Sequence, residues 1–145
     1  MYLDTAILVK LLVREPDSDF YAGLVDGQPA WSSHVVLVEC LSALLRKERE
    51  RAIDRSHRRR AWRQVVADVD ALRLNLVAVT PSLLERAAAI LNVCHPDVAL
   101  RSLDAIHLAS AERCQSWPLC SNDVRMRAAA ARLGLPLAAI PGRTT

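Results

Sequence analysis

Very short apolar runs alternate along this chain with longer stretches in which apolar residues return at helical spacing. Tyr2-Leu3-Asp4 reads as a brief strand running straight into the helix TAILVKLLV. That helix is expected to stop near Glu15-Pro16, because a residue before proline resists helical geometry. Asp17 or Ser18 can cap a second helix through Val25, and Gly27-Gln28-Pro29 forms a turn before a second strand opening at Ala30-Trp31.

From Ser33, an N-cap candidate, HVVLVECLSALLRKER has the length and apolar content of a buried helix with Glu39 in its middle. Steps of three and four from Glu39 reach Ser32, Val35, Val36, Ser42, Ala43 and Arg46, mostly small or medium residues that leave room around the carboxylate. A further helix spans Asp54 to Leu72, with Trp62, Val65, Val66, Val69 and Leu72 as its inward stripe. LNLVAVT is a strand halted by Pro81, and SLLERAAAILNV is again helical. After an irregular stretch from Asp97 to Arg101, Ser102 can cap LDAIHLASAERC, placing Asp104 in a first turn where the helix dipole favours an anion. Pro118 to Ser121 form a brief strand leading to Asn122-Asp123 and the Ala-rich helix VRMRAAAARL, which Gly134 ends. LPLAAI supplies a last strand, PGRTT a frayed tail, and no internal repeat is visible.

Short strands alternating with helices imply an α/β fold in which a parallel sheet is covered on both faces. The 145 residues, 52% of them hydrophobic, suit one domain spanning 1–145 with a single core. No apolar run approaches a membrane span, and Met1-Tyr2-Leu3-Asp4 lacks the basic and apolar regions of a signal peptide, so a cytoplasmic protein is expected. Cys40, Cys94, Cys114 and Cys120 show no zinc-type spacing and read as free thiols; Cys94-His95 has no companion at metal spacing.

Charge changes the picture more than composition does. The net charge is only +3, but nine basic and three acidic residues between Arg46 and Arg63 make that segment +6 and leave the remainder at −3. Arginine accounts for 17 of the 19 basic residues, and its planar fork grips phosphate oxygens in pairs. A solvated helix surface is the plainer reading of such a block; nucleic-acid contact through Arg46, Arg58, Arg59 and Arg60 is the functional one.

Against this background stand four carboxylates in otherwise apolar or small-residue surroundings: Asp4, Glu39, Asp104 and Asp123. Taken singly, Asp4 and Asp123 read as helix caps, Asp104 as a dipole partner, and Glu39 as half of a buried ion pair. Taken together, two of them end strands and two lie on helices able to lean over the same sheet edge, where open α/β sheets place their sites. Carboxylates about 5 Å apart repel by roughly 3 kcal/mol at an effective dielectric near 20, so a cluster of four calls for a hard divalent cation. Magnesium or manganese suits such oxygen donors, and a metal-activated water attacking phosphorus is phosphodiester hydrolysis. His34, His57 and His95 have no triad companions; His107, one turn after Asp104, can either support a ligand from behind or pack and bond structurally, and the structural part is the expected one.

YLDTAILVKLL, SSHVVLVECLSALLR, LRSLDAIHLASA and LCSNDVRMRAAAARLGLPL, in this order, resemble the motifs of PIN-domain ribonucleases, and within them the VapC-type toxins of toxin–antitoxin pairs. The resemblance covers nearly the whole chain. It matches Asp4 and Thr5 to the first strand end, Glu39 to the second motif, Asp104 to the Asp-Ala-x-His-Leu-Ala segment, and Ser121 with Asp123 to a strand-end Thr-x-Asp. Ser121 keeps the hydroxyl where Thr is commoner, and Asn122 occupies a variable position that can contact a water or metal.

The resemblance implies a PIN-like three-layer α/β/α fold and an endoribonuclease dependent on Mg²⁺ or Mn²⁺, the metal being held by Asp4, Glu39, Asp104 and Asp123 with Thr5, Ser121 and Asn122 in support. It further implies cleavage of structured RNA such as tRNA to 5′-phosphate and 3′-hydroxyl ends, a homodimer, and a cognate VapB-type antitoxin lying across the acidic site. A non-catalytic PIN-fold RNA-binding or regulatory module is the alternative, and the intact acid set argues against it. A receiver domain would need an Asp ending LNLVAVT and a late lysine, and a haloacid-dehalogenase-like phosphatase an Asp two residues after Asp4; neither is present.

Overall fold

The computed structural model describes residues 1–141. Its four short strands, β1 (Tyr2–Leu3), β2 (Ala30–Ser33), β3 (Leu74–Val77) and β4 (Leu119–Cys120), form one parallel sheet of order β3-β2-β1-β4. Seven helices connect them: α1 (Thr5–Leu12), α2 (Ser18–Val25), α3 (Val36–Arg49), α4 (Arg55–Asp70), α5 (Pro81–Cys94), α6 (Ser102–Cys114) and α7 (Val124–Arg132).

The chain steps outward from β1 through β2 to β3 and then returns across the sheet to place β4 on the other side of β1. Residue alternation divides the core accordingly. Tyr2 and Leu119 face a cluster with Leu83, Ile90, Leu108 and Met126 of α5, α6 and α7, whereas Leu3 and Cys120 face Ile7 and Tyr21 of α1 and α2. Leu74 joins Val36, Leu44 and Val65 of α3 and α4. Two helical layers thus sandwich the sheet, as expected of a buried parallel arrangement. The strand order reverses between β1 and β4, and a backbone bond from Asp4 N–H to the Cys120 carbonyl (3.1 Å) ties their carboxyl ends together.

Several sequence expectations shift at element ends. Ser33 remains in β2 and His34 N–H bonds the Val77 carbonyl, so α3 begins only at Val36 and Glu39 lies in its first turn rather than its middle. β3 stops at Val77 because Thr80 leaves the sheet to cap α5, its hydroxyl accepting from Leu83 N–H. Arg101, not Ser102, occupies the N-cap of α6. Val66 and Leu72 are exposed, unlike the rest of the α4 stripe. Leu72 adopts a left-handed backbone (φ +56°) just past the helix end, which turns its side chain outward. LPLAAI makes isolated bridges, one of them parallel between Leu119 and Leu137, rather than a strand. Of the expected frayed tail, only Pro141 lies within the described residues.

Candidate metal-binding active site

Each of the four carboxylates enters the site from the beginning of a helix. Asp4 and Asp123 are the N-caps of α1 and α7, and Glu39 and Asp104 sit in the first turns of α3 and α6. Four helix N-termini therefore meet at one place, and their exposed N–H groups supply part of the positive potential that a group of anions needs. The cavity they line measures about 750 Å³ and lies beyond the carboxyl ends of β1 and β4.

Capping and site membership are not alternatives here, because each carboxylate divides its two oxygens. Asp4 Oδ1 accepts from Ile7 N–H (2.9 Å), Asp123 Oδ1 from Arg125 and Met126 N–H (2.8 and 3.1 Å), and Asp104 Oδ2 from Arg101 N–H (3.3 Å). Glu39 Oε2 accepts from the Thr5 hydroxyl (2.6 Å) and from His107 Nε2 (2.8 Å). Among the described residues, the second oxygens of Glu39 and Asp104 take no protein hydrogen bond, the Ser121 hydroxyl favours the charged form of Asp4, and Asp123 Oδ2 has a long contact with Arg125 (3.5 Å).

Electrostatics separate the four. Burial pushes the Asp4 carboxyl above its ordinary range, and Asp123 adds repulsion, against relief from Ser121, Ile7 N–H and His107. Asp104 is also raised, first by burial and then by the Asp123 charge. Burial acts in the same direction on Asp123, but the N–H groups of Met126 and Arg125 and the Arg125 guanidinium outweigh it, and the carboxyl falls below its usual value. Glu39 is likewise lowered, with burial overcome by His107 and Thr5.

The donor set is all oxygen, anionic and concave, which in kind and place fits a hard divalent cation. Among the described residues no three His, Cys, Asp or Glu side chains are already drawn onto a shared ligand point. The site is open, with its free oxygens distributed around the cavity.

All four predicted acids, together with Thr5 and Asn122, line this cavity. Ser121 is fully buried behind it, where its hydroxyl accepts from Asp123 N–H (3.1 Å) and favours the charged form of Asp4. Of the arginines singled out in the sequence, Arg46 alone reaches the cavity wall. Arg58 is paired with Glu48, Arg60 donates to Ser56, and Arg59 lies with Arg55 and Arg63 along the outer face of α4. Lys10, Lys47, Arg49 and Arg101 also line the cavity and were not anticipated. Arg49 belonged to the basic block, whereas Lys10 and Arg101 stood outside it and gave no sequence signal. His107 has a larger part than structural packing: its ring lies at the cavity wall between Glu39 and the core.

A parallel sheet whose switch point gathers acids from four helix starts defines an acidic-site α/β architecture, and comparison with known proteins makes the class specific. The chain belongs to the PIN domain family, whose profile matches residues 1–132. "Ribonuclease VapC46" of Mycobacterium tuberculosis is 38% identical over 142 residues, spanning 96% of each chain. "Ribonuclease VapC35" of the same species is 35% identical over 149 residues, spanning 99% of this chain and 98% of that protein. These relatives set the chain in the VapC group. A solved "Toxin-antitoxin complex from Klebsiella pneumoniae" shares the fold at TM-score 0.56 and 16% identity, covering 99% of this chain and 95% of that one. Within the described residues no helix is long and apolar enough to cross a membrane.

Proposed function

We propose that this chain is a single-domain, divalent-metal-dependent endoribonuclease that serves as the toxin of a toxin–antitoxin pair. The observation that carries the reading is the convergence of Asp4, Glu39, Asp104 and Asp123 on one cavity from four separated segments. The ribonuclease names of its relatives supply the substrate class, and the toxin–antitoxin context of the structural neighbour agrees with a VapB-type partner.

Asp4, Glu39, Asp104 and Asp123 would hold Mg²⁺ or Mn²⁺, which supplies an activated water and charge compensation for the departing oxygen. Thr5 and Ser121 keep two of the carboxylates oriented through their hydroxyls. Arg46, Arg49 and Arg101 set positive charge around the acids, which suits an incoming phosphodiester backbone and makes its binding salt-sensitive, whereas Lys10 and Lys47 at the same wall are paired with Glu15. A homodimer and a structured RNA such as tRNA belong to the same reading.

The test is cleavage of total RNA by purified protein, with end mapping, in Mg²⁺, in Mn²⁺ and in EDTA. Cleavage is expected with metal, and loss is expected with EDTA and in Asp104→Asn. Undiminished cutting by Asp104→Asn sinks the assignment of the site.

A further inference from the structure

Behind the acidic cavity, a hydrogen-bonded chain runs from the sheet to Glu39. The Tyr2 hydroxyl, wholly buried on β1, stands 2.8 Å from His107 Nδ1, and His107 Nε2 stands 2.8 Å from Glu39 Oε2. The same Glu39 oxygen takes the Thr5 hydroxyl at 2.6 Å. A carboxylate only accepts, so Nε2 carries a proton; in the neutral ring Nδ1 is then the acceptor and the Tyr2 hydroxyl its donor. Tyr2 packs edge-on against the imidazole, with ring centroids 5.9 Å apart and planes at 79°, which fixes the ring as well as its tautomer.

The geometry points to Tyr2 and His107 as positioning residues that commit Glu39 Oε2 to the protein and thereby present Oε1 to the cavity for a cation. This deepens the metal-dependent reading proposed above and rests on it. Glu39 differs from the three aspartates in what holds it. Their anchoring oxygens bond to the backbone of their own helices, whereas Glu39 is held entirely by side chains from β1–α1 and α6. Without Tyr2, Nδ1 loses its donor, and both the Nε2–H tautomer and the ring position rest on the contact with Glu39 alone. A glutamate has one more rotatable bond than an aspartate, so its ligand geometry depends more on such a support. Partners that orient a metal-bound side chain commonly change metal affinity by about 10- to 100-fold when removed.

The test is a titration of the metal-free full chain with Mn²⁺, read as free Mn²⁺ by electron paramagnetic resonance, in a double-mutant cycle of Tyr2→Phe and Glu39→Gln. Tyr2→Phe is expected to weaken Mn²⁺ binding about tenfold in the wild-type background and to have no further effect once Glu39 is Gln. Equal loss in both backgrounds, or no loss in either, overturns the proposal. His107→Gln and His107→Leu provide a second arm: the Gln amide can still donate to Glu39, so it should retain most of the affinity that Leu forfeits. Equal affinities for the two overturn it as well. A wild-type chain that binds no Mn²⁺ removes the metal reading itself, and the wild-type titration distinguishes that failure from failure of the Tyr2–His107 support.

Discussion

Replacing Asp4 with Asn should make the metal-free protein more stable while abolishing its activity. Asn keeps the cap, because its side-chain oxygen can accept from Ile7 N–H as the carboxylate does. What the substitution removes is a charge that is only 5% exposed and that feels Asp123. Burial is the chief cause that disfavours this charge, repulsion from Asp123 is a smaller one, and the hydrogen bonds to the charged form offset part of both. A net gain of about 1–2 kcal/mol corresponds to a rise of about 3–6 °C in Tm for a chain of this size. The sign follows from linkage. An acid whose folded pKa is raised binds extra proton in the fold, so stability falls as pH climbs from the unfolded value through the folded one. The difference between wild type and Asp4→Asn should therefore be full at neutral pH and close as the wild-type carboxyl takes up its proton in acid. Thermal unfolding in EDTA across this range measures it. Saturating Mg²⁺ at about 100 times its Kd should then stabilise the wild type by roughly 2.7 kcal/mol and leave the variant nearly unmoved. A variant less stable than wild type in EDTA, and equally stabilised by Mg²⁺, would refute the account of Asp4 as an uncompensated ligand.

Other perturbations probe the surroundings. Burial pushes the Cys40 and Cys120 thiols up to about 12, so both should resist a thiol reagent at pH 8 until denaturant is added; rapid labelling of the native chain would contradict their placement. Glu15 accepts from Lys10 (2.7 Å) and Lys47 (2.6 Å), joining α1 to α3, and Glu15→Ala should cost about 2 kcal/mol in chemical denaturation. Those hydrogen bonds hold the Glu15 carboxyl below its ordinary range against opposing burial, so its contribution is present above the unfolded pKa and lost as pH falls through the folded one. A cost that persists unchanged at low pH would contradict this. Arg46→Ala and Arg49→Ala should each lower the salt dependence of RNA binding by about 0.7 in the log–log slope, whereas Arg58→Ala, whose side chain is paired with Glu48, should chiefly reduce stability. The reverse ranking would return the RNA contact to α4.

Element types and the gathering of the acids were legible because they rest on local signals: helical periodicity, proline stops, and carboxylates in apolar company. Boundaries were less so, since Ser33 and His34 follow the tertiary demand of pairing with β3 over their own capping preference. The same competition misplaced Glu39 by several residues along α3 without altering its destination. Arg58 to Arg60 could not be sorted by sequence, because the answer depends on Glu48 lying one helix away. His107 was undervalued for a related reason. Its neighbours, Tyr2 and Glu39, are 105 and 68 residues distant, and only the assembled sheet brings them within reach.

The bond between Asp4 and Cys120 also sets when during synthesis the acid cavity can first form. Asp4 has no fixed position until the strand beside it has left the ribosome, and Asp123 emerges later still. A chain cut short before Asp123 therefore lacks the assembled acid cavity, whatever the state of its earlier segments.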